Sequence, residues 1–257
     1  MTSRFIVRFL VSVALLLVAA PAGAQLYTQR SYVLTDGSVE LGGEPARPLM
    51  AVFNVSDDQP AFDPFVTPVH LYFGVTNNLT LGITHDRGPC FNCNEFQGGF
   101  YNAAGPGMGL LYNFVRGPPF ELDLHLTTPL IRVFDPFFLA VRGGVIGRVN
   151  ISHVVAFVFD PSLLIGLTNR NQGNREVLGL PFWFFFQATD VVVPYVGSGI
   201  YAPLEDGDPG IPLEGGVIAS VNDDIDLGGA LIFGNLNNDG GALDARALGF
   251  IGRFRFD

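Results

Sequence analysis

The sequence contains no lysine, so all fourteen basic residues among its 257 are arginines, against 24 acidic residues. Charged residues make up only 15% of the chain, and the formal net charge is −10. Binding to phosphate backbones needs clustered cations, so this composition argues against a nucleic-acid partner. Only two cysteines are present, and no apolar run of helix-spanning length follows the first 24 residues, which excludes membrane-spanning helices there.

The first 24 residues have the features of a cleavable export signal. Arg4 and Arg8 give a positive start, residues 9–20 are apolar but too short to span a bilayer, and residues 22–24 read Ala-Gly-Ala. We therefore expect residues 1–24 to be removed and the chain to be exported, with an uncleaved anchor as the alternative. Removing 24 of 257 residues, two of them arginines, leaves 233 residues and a net charge of −12.

Glycine, proline and phenylalanine are abundant. The chain has 32 glycines, 18 prolines and 24 phenylalanines, with 48% hydrophobic residues and a mean hydropathy of +0.35. Glycine and proline argue against long helices, whereas phenylalanine is frequent in strands. A chain this apolar would expose large hydrophobic patches in water, so its apolar side chains must be covered by something other than water.

Apolar residues alternate with small or polar ones in most of the chain. Residues 69–84, VHLYFGVTNNLTLGIT, are one example, and this period of two is typical of β-strands. Short connections such as 76–78 and 222–224 alternate with long ones such as 85–107, which places tight turns at one end of the sheet and loops at the other. From residue 48 onward the pattern predicts about twelve strands, with ten or fourteen as alternatives.

The polar face of these segments mixes many glycines with ionisable side chains, namely Glu121, Asp123, His125, Arg142, Arg148, Asp226, Arg253 and Arg255. Such a face suits the lumen of a barrel better than a dry core, and the opposite face would then meet lipid. Closing the sheet leaves no unpaired edge in hydrocarbon. The sequence thus predicts an all-β fold, a closed antiparallel up-and-down transmembrane β-barrel over residues 48–257. Residues 25–47 form a lead segment or part of the first strand, and a secreted β-sandwich is the alternative fold.

Several hairpins resemble those of bacterial outer-membrane β-barrel proteins. They read FGVTNNLTLGI, FQATDVVVPYVGSGIY and ASVNDDIDLGGALIFGNL, and the last strand is rich in phenylalanine. The resemblance implies a Gram-negative outer-membrane location, contact with lipid, short periplasmic turns and long outward loops. It also implies recognition of the last strand by the barrel-assembly machinery, although Asp257 here follows Phe256, where the family usually ends on an aromatic residue. A fold of this kind does not specify a substrate.

Antiparallel pairing across the predicted loops brings opposite luminal charges together. It places Glu121 near Arg148, and Asp226 near Arg253 or Arg255, all toward the short turns. Such pairs can be a structural network that fills the barrel. Alternatively, they can form a constriction that selects solutes by charge.

The pair Cys90 and Cys93 lies in the longest predicted loop. Two cysteines in an exported chain usually form a disulfide, and a ring this small would stabilise the fold only modestly. A redox dithiol and half of a metal site with His85 are the alternatives, but no βαβ context and no full ligand set accompanies them.

We expect no enzyme, no cofactor and no bound metal. Ser162 and Ser220 are predicted to be luminal, but no nucleophile motif surrounds them, and His70 and His125 are interpreted as hydrogen-bonded fillers. The sequence therefore favours a passive, porin-like channel for small solutes. The alternative is a closed structural or surface-interaction barrel that acts through its extracellular loops.

Overall fold

The computed structural model describes residues 26–54, 65–66, 68–85, 90–91, 106–117, 119–133, 136–205, 207–234, 236 and 246–257. The predicted export signal lies outside these residues, and so does the predicted disulfide, because Cys93 is not among them.

The described residues form twelve spanning strands, seven of which are built from two consecutive β-segments. They are β1 (Val39–Gly42 and Leu49–Asn54), β2 (Phe65–Val66 and His70–Thr76), β3 (Leu79–Thr84 and Cys90–Phe91), β4 (Gly107–Gly117), β5 (Phe120–Thr127 and Leu130–Arg132), β6 (Phe138–Asn150), β7 (Val155–Phe159 and Ser162–Gly166), β8 (Val177–Gly179 and Phe182–Phe186), β9 (Val192–Ser198 and Tyr201–Pro203), β10 (Leu213–Ser220), β11 (Ile225–Phe233) and β12 (Arg246–Phe256).

Each strand pairs antiparallel with the next one along the chain, and the last strand pairs with the first. Val39 in β1 lies opposite Phe256 in β12, and Phe53 lies opposite Leu248. The other edge of β1 pairs with β2, so the sheet is closed. The predicted all-β, twelve-stranded, closed antiparallel barrel is therefore confirmed. Its first strand begins at Val39, which leaves residues 26–38 as a lead segment.

Two prolines mark the interruptions in neighbouring strands. Pro161 separates the two segments of β7, and Pro181 separates those of β8. Proline has no N–H to give to a ladder, but its carbonyl can still accept. The Val145 N–H donates to Pro161 O at 3.1 Å, and the Asp160 N–H donates to Pro181 O at 3.1 Å, so the sheet stays connected across both breaks.

Alternate side chains on each strand face opposite sides of the barrel wall. In β3, Ile83 is 53% exposed on the outer face, whereas its neighbour Thr84 is 1% exposed on the inner face. Phe182 and Phe186 in β8 are likewise exposed, while Trp183 is buried. The apolar outer face is the kind of surface that lipid covers. The only helical elements among the described residues are two three-residue 3₁₀ turns, and neither could cross a bilayer.

The inner face is more apolar than the sequence predicts. Beside the charges it carries a continuous hydrophobic cluster that includes Tyr72, Leu111, Ile146, Val158, Trp183, Phe185, Val193, Tyr195, Ile218, Ile232 and Ile251. Tyr27, Tyr32, Val33 and Leu34 of the lead segment belong to the same cluster, as does Ala46. The lumen thus contains a packed core. The lead segment, which precedes β1, and the residues around Ala46, which interrupt β1, are part of it.

Candidate functional site: the barrel lumen

The lead segment, residues 26–38, crosses the short-turn end of the barrel. This end is formed by the connections 77–78, 151–154, 187–191 and 221–224. The segment contacts three of these turns in succession: Thr28 N–H with Gln187 Oε1 at 3.4 Å, Arg30 Nη2 with Asn222 O at 2.7 Å, and Asp36 N–H with Asn77 Oδ1 at 3.3 Å. Because these turns belong to β8–β9, β10–β11 and β2–β3, the segment runs from one side of the barrel to the other before it enters β1.

Arg30 is the central charge of the lead segment. Its Nη1 lies 2.8 Å from Asp226 Oδ1, and both side chains are buried. Asp226 also accepts a hydrogen bond from Ser220 Oγ at 2.7 Å and lies 3.7 Å from Nη1 of Arg253, its register partner on β12. The predicted neighbours Asp226 and Arg253 are thus brought together at Asp226 Oδ2, and Arg30 of the lead segment binds Asp226 Oδ1.

Glu121 and Arg148 lie opposite each other on β5 and β6 and form a buried ion pair. Both also bind the lead segment. Ser31 Oγ donates to Glu121 Oε1 at 2.7 Å, while Arg148 donates to the backbone carbonyls of Arg30 and of Gln29, the latter at 3.3 Å. This pair therefore holds the lead segment on the side facing β5 and β6.

Two tyrosines of the lead segment pack against luminal arginines and aromatics. The Arg253 guanidinium lies 5.5 Å from the ring centroid of Tyr27, and that of Arg148 lies 5.2 Å from Tyr32. The Tyr27 ring also contacts Phe185 at 5.6 Å. Burial raises the pKa of the Tyr27 and Tyr32 phenols above their usual value, and the nearby arginines offset this only in part.

The other luminal charges of the predicted set also have buried partners. Arg255 Nε lies 2.6 Å from Glu40 Oε2, and Arg253 Nε lies 3.7 Å from the same oxygen. Asp123 accepts a hydrogen bond from Asn113 Nδ2 at 2.7 Å. Sequence reasoning missed Glu40, because its position opposite Arg255 follows only from pairing of the last strand with the first.

A second segment enters the lumen between the two halves of β1. This inward loop, residues 43–48, is held by two ion pairs with the wall. Glu44 Oε1 lies 2.8 Å from Nη1 of Arg142, and Arg47 Nη2 lies 2.5 Å from Glu214 Oε2. Both ends of the loop join strand segments that pair with β12, so its position is fixed by the barrel itself.

His125 and Arg142 both contact the carboxylate of Asp160, beside the inward loop. Asp160 lies 2.7 Å from His125 Nε2 and 3.0 Å from Arg142 Nη2. Arg142 Nε also donates to Ser162 Oγ at 3.1 Å. A cavity of about 20 Å³ adjoins this cluster, which is room for one water. The predicted residues His125 and Arg142 thus form a group separate from the charges around the lead segment.

A larger chamber of about 670 Å³ lies at the short-turn end, between the lead segment and a wall formed by β4, β5, β6 and the turn 151–154. Gln29 and Ser31 line it on one side, and Arg116, Arg148 and His153 are among the residues on the other. Arg116 Nη2 donates to Ser31 Oγ at 3.1 Å. The lead segment therefore forms one wall of this chamber.

Comparison with known proteins relates the chain to porins by fold. A structure described as KdgM porin aligns with a TM-score of 0.54 and 7% identity, over 86% of this chain and 98% of that one. NanC porin aligns with a TM-score of 0.55 and 7% identity, over 85% and 98%. No protein-family model and no curated protein matches the sequence. The chain thus shares the closed β-barrel fold of these porin structures.

Proposed function

We propose that the protein is a passive, porin-like channel for small solutes in the outer membrane. The observation that carries this proposal is the closed twelve-stranded barrel, which has a chamber of about 670 Å³ open at the short-turn end and charged side chains along its inner face. Structures similar in fold are described as porins, one of them in complex with disordered oligogalacturonate. The chemistry of the luminal residues fits transient contact with polar solutes.

The luminal charges have two roles in this proposal. The pairs of Glu121 with Arg148 and of Asp226 with Arg253 stabilise the interior, since each leaves no wall charge isolated in a low dielectric. The exposed guanidinium of Arg116 and the imidazole of His153 line the chamber and bias which solutes enter. We propose no catalytic role for Ser162, whose hydroxyl accepts a hydrogen bond from Arg142.

Conductance of the purified, folded protein in planar bilayers tests the proposal. We expect discrete conductance steps, and a reversal potential in a salt gradient that reports the charge preference of the lumen. Liposome swelling with neutral sugars of increasing size would give the cut-off for uncharged solutes. Folded protein, shown by its heat-modifiable gel mobility, that gives no steps and no swelling either as the natural chain or without residues 26–37 would refute a channel function.

A second candidate function is a closed structural or surface-interaction barrel. The packed lumen favours it, because Ile218 and Ile251 are fully buried on the inner face and the lead segment packs into the same cluster. Such a barrel would act through its long loops and would conduct in no variant. Absence of conductance both in the natural protein and in a folded variant without residues 26–37 would favour this second function.

Export and assembly complete the proposal. We propose that residues 1–24 are cleaved, that lipid covers the outer face, and that the barrel-assembly machinery recognises β12. Amino-terminal sequencing of the mature protein and retention in membranes after a carbonate wash test the first two points.

A further inference from the structure

We infer that the lead segment, residues 26–38, is a displaceable gate that closes the short-turn end of the barrel. This inference rests on the proposed channel function and concerns how the same lumen is regulated. Three features of the structure carry it: the way the segment is attached, the way the wall charges are paired, and the position of the chamber.

The lead segment joins the strands of the barrel at Val39. Its residues 26–36 belong to no strand, while Gly37 N–H donates to Gly74 O at 3.0 Å and Gly74 N–H donates to Ser38 O at 2.8 Å. The rest of the segment is held to the wall by the buried ion pair of Arg30 with Asp226 and by hydrogen bonds such as Leu34 N–H to Thr80 Oγ1 at 2.9 Å. The inward loop, by contrast, joins paired strand segments on both sides. The lead segment can therefore move away without breaking the sheet, whereas the inward loop cannot.

The wall charges that bind the lead segment keep partners of their own. Asp226, which pairs with Arg30, is also bonded to Ser220 and lies 3.7 Å from Arg253. Glu121, which accepts from Ser31, pairs with Arg148 across the β5–β6 ladder. Departure of the segment would thus leave neither carboxylate isolated in the lumen. A gate needs a binding site whose charges are paired both when the segment is bound and when it has left. The partners of Asp226 and Glu121 meet that requirement.

Movement of the lead segment would enlarge an existing opening. Gln29 and Ser31 form one wall of the chamber of about 670 Å³ at the short-turn end. The same segment buries Tyr27, Val33 and Leu34 in the luminal cluster. Displacement would therefore connect the chamber with the space that these side chains now occupy.

Gly74 in β2 gives a way to displace the segment without deleting it. The Gly74 N–H donates to Ser38 O at 2.8 Å, and a Cβ at this position would overlap the carbonyl oxygen of Thr35. Gly74→Ala should therefore push the segment out of its site. Gly143→Ala is the matched control, since a Cβ on Gly143 meets its nearest neighbour, a Leu126 methyl, at an ordinary 3.6 Å.

A disulfide between the lead segment and the wall should have the opposite effect to Gly74→Ala, because it holds the segment in place. The pair to test is Leu34→Cys with Thr80→Cys, in a chain whose natural cysteines are replaced by serine, because Leu34 N and Thr80 Oγ1 lie 2.9 Å apart. A thiol assay shows whether the bond between the segment and β3 has formed. The locked form should conduct several-fold less than the reduced form, and adding a reductant should restore conductance.

The experiment compares these variants with a deletion of residues 26–37, all in planar bilayers and all checked for heat-modifiable mobility. We expect the deletion and Gly74→Ala to conduct several-fold more than the natural protein, and Gly143→Ala to match it. Natural, deleted and disulfide-locked proteins that conduct equally would overturn the gate and leave the channel function intact. A folded deletion variant that does not conduct would overturn the channel function and the gate with it. Should the deletion fail to fold, the disulfide pair and Gly74→Ala decide the question.

Discussion

Arg30 and Asp226 form a buried ion pair across 196 residues of sequence, with Nη1 2.8 Å from Oδ1. Their partners differ in a way that predicts unequal roles. Asp226 is shared by Arg30, Arg253 and Ser220, so it holds together the lead segment and the β11–β12 ladder. Arg30, in contrast, connects only the lead segment to the wall and takes no part in the β11–β12 ladder.

Substitutions of these two residues should therefore destabilise the barrel unequally. Asp226→Asn removes the carboxylate that two buried arginines share and should lower the free energy of unfolding by about 3 kcal/mol. Arg30→Met leaves Asp226 with Arg253 and Ser220, and should cost about 1 kcal/mol. Urea titrations of the protein in lipid vesicles measure both values. Equal losses would show that Arg253 does not compensate for Arg30.

Alkaline pH should release the lead segment. Burial raises the pKa of the Tyr27 and Tyr32 phenols above the ordinary value of 10.0. A raised pKa in the docked state means that its stabilisation is complete below pH 10 and declines as the pH rises above it, because the released phenols ionise first. We expect conductance to increase reversibly between about pH 10 and pH 11.5.

The matched control for this pH response is the double variant Tyr27→Phe with Tyr32→Phe. It keeps both rings in the luminal cluster but has no phenol to ionise, so its conductance should stay level over the same pH range. A double variant that responds to alkali as strongly as the natural protein would assign the effect to other groups.

Charge reversal in the chamber should change ion selectivity. Arg116 lines the chamber, and Arg116→Glu should shift the reversal potential in a salt gradient toward cation preference. Arg170→Glu makes the same change of charge at the other end of the barrel, where Arg170 lies 2.5 Å from Glu176, and should shift it much less. Similar shifts in the two variants would mean that the chamber does not lie on the ion path.

The single tryptophan should report on the inward loop. Trp183 is buried, and its Nε1 donates to Glu214 Oε1 at 2.5 Å, while Glu214 also pairs with Arg47 of the loop. Glu214→Ala removes both links, so acrylamide should quench the indole fluorescence markedly more than in the natural protein. Glu176→Ala, at the long-loop end, should leave quenching unchanged. Unchanged quenching in Glu214→Ala would show that the carboxylate does not hold the indole or the loop.

The barrel could be predicted from the sequence because its determinants are local. Period-two alternation identifies strands and their two faces, and alternating short and long connections give an up-and-down order. Hairpin geometry then places Glu121 beside Arg148 and Asp226 beside Arg253, and the structure has both pairs in register.

The contents of the lumen could not be predicted in the same way. The lead segment has no period, and its main partner, Asp226, is 196 residues away. Glu40 meets Arg255 only because the sheet closes on itself. Tryptophan and isoleucine on the inner face, such as Trp183 and Ile218, also break the simple alternation of polar with apolar residues. The partners of these residues are defined only after the sheet has closed and strands distant in sequence face each other across the lumen.

The seam between β1 and β12 has a consequence for biogenesis. Tyr27, Tyr32, Val33 and Leu34 are buried in the lumen, so the lead segment has to enter before Val39 pairs with Phe256 or pass through the short-turn end afterwards. Gly74→Ala, which blocks the site of this segment, should therefore slow the last step of folding, whereas Gly143→Ala should not. Pulse-chase labelling of heat-resistant barrel would distinguish the two variants. Docking of the lead segment would then set the rate at which the barrel closes.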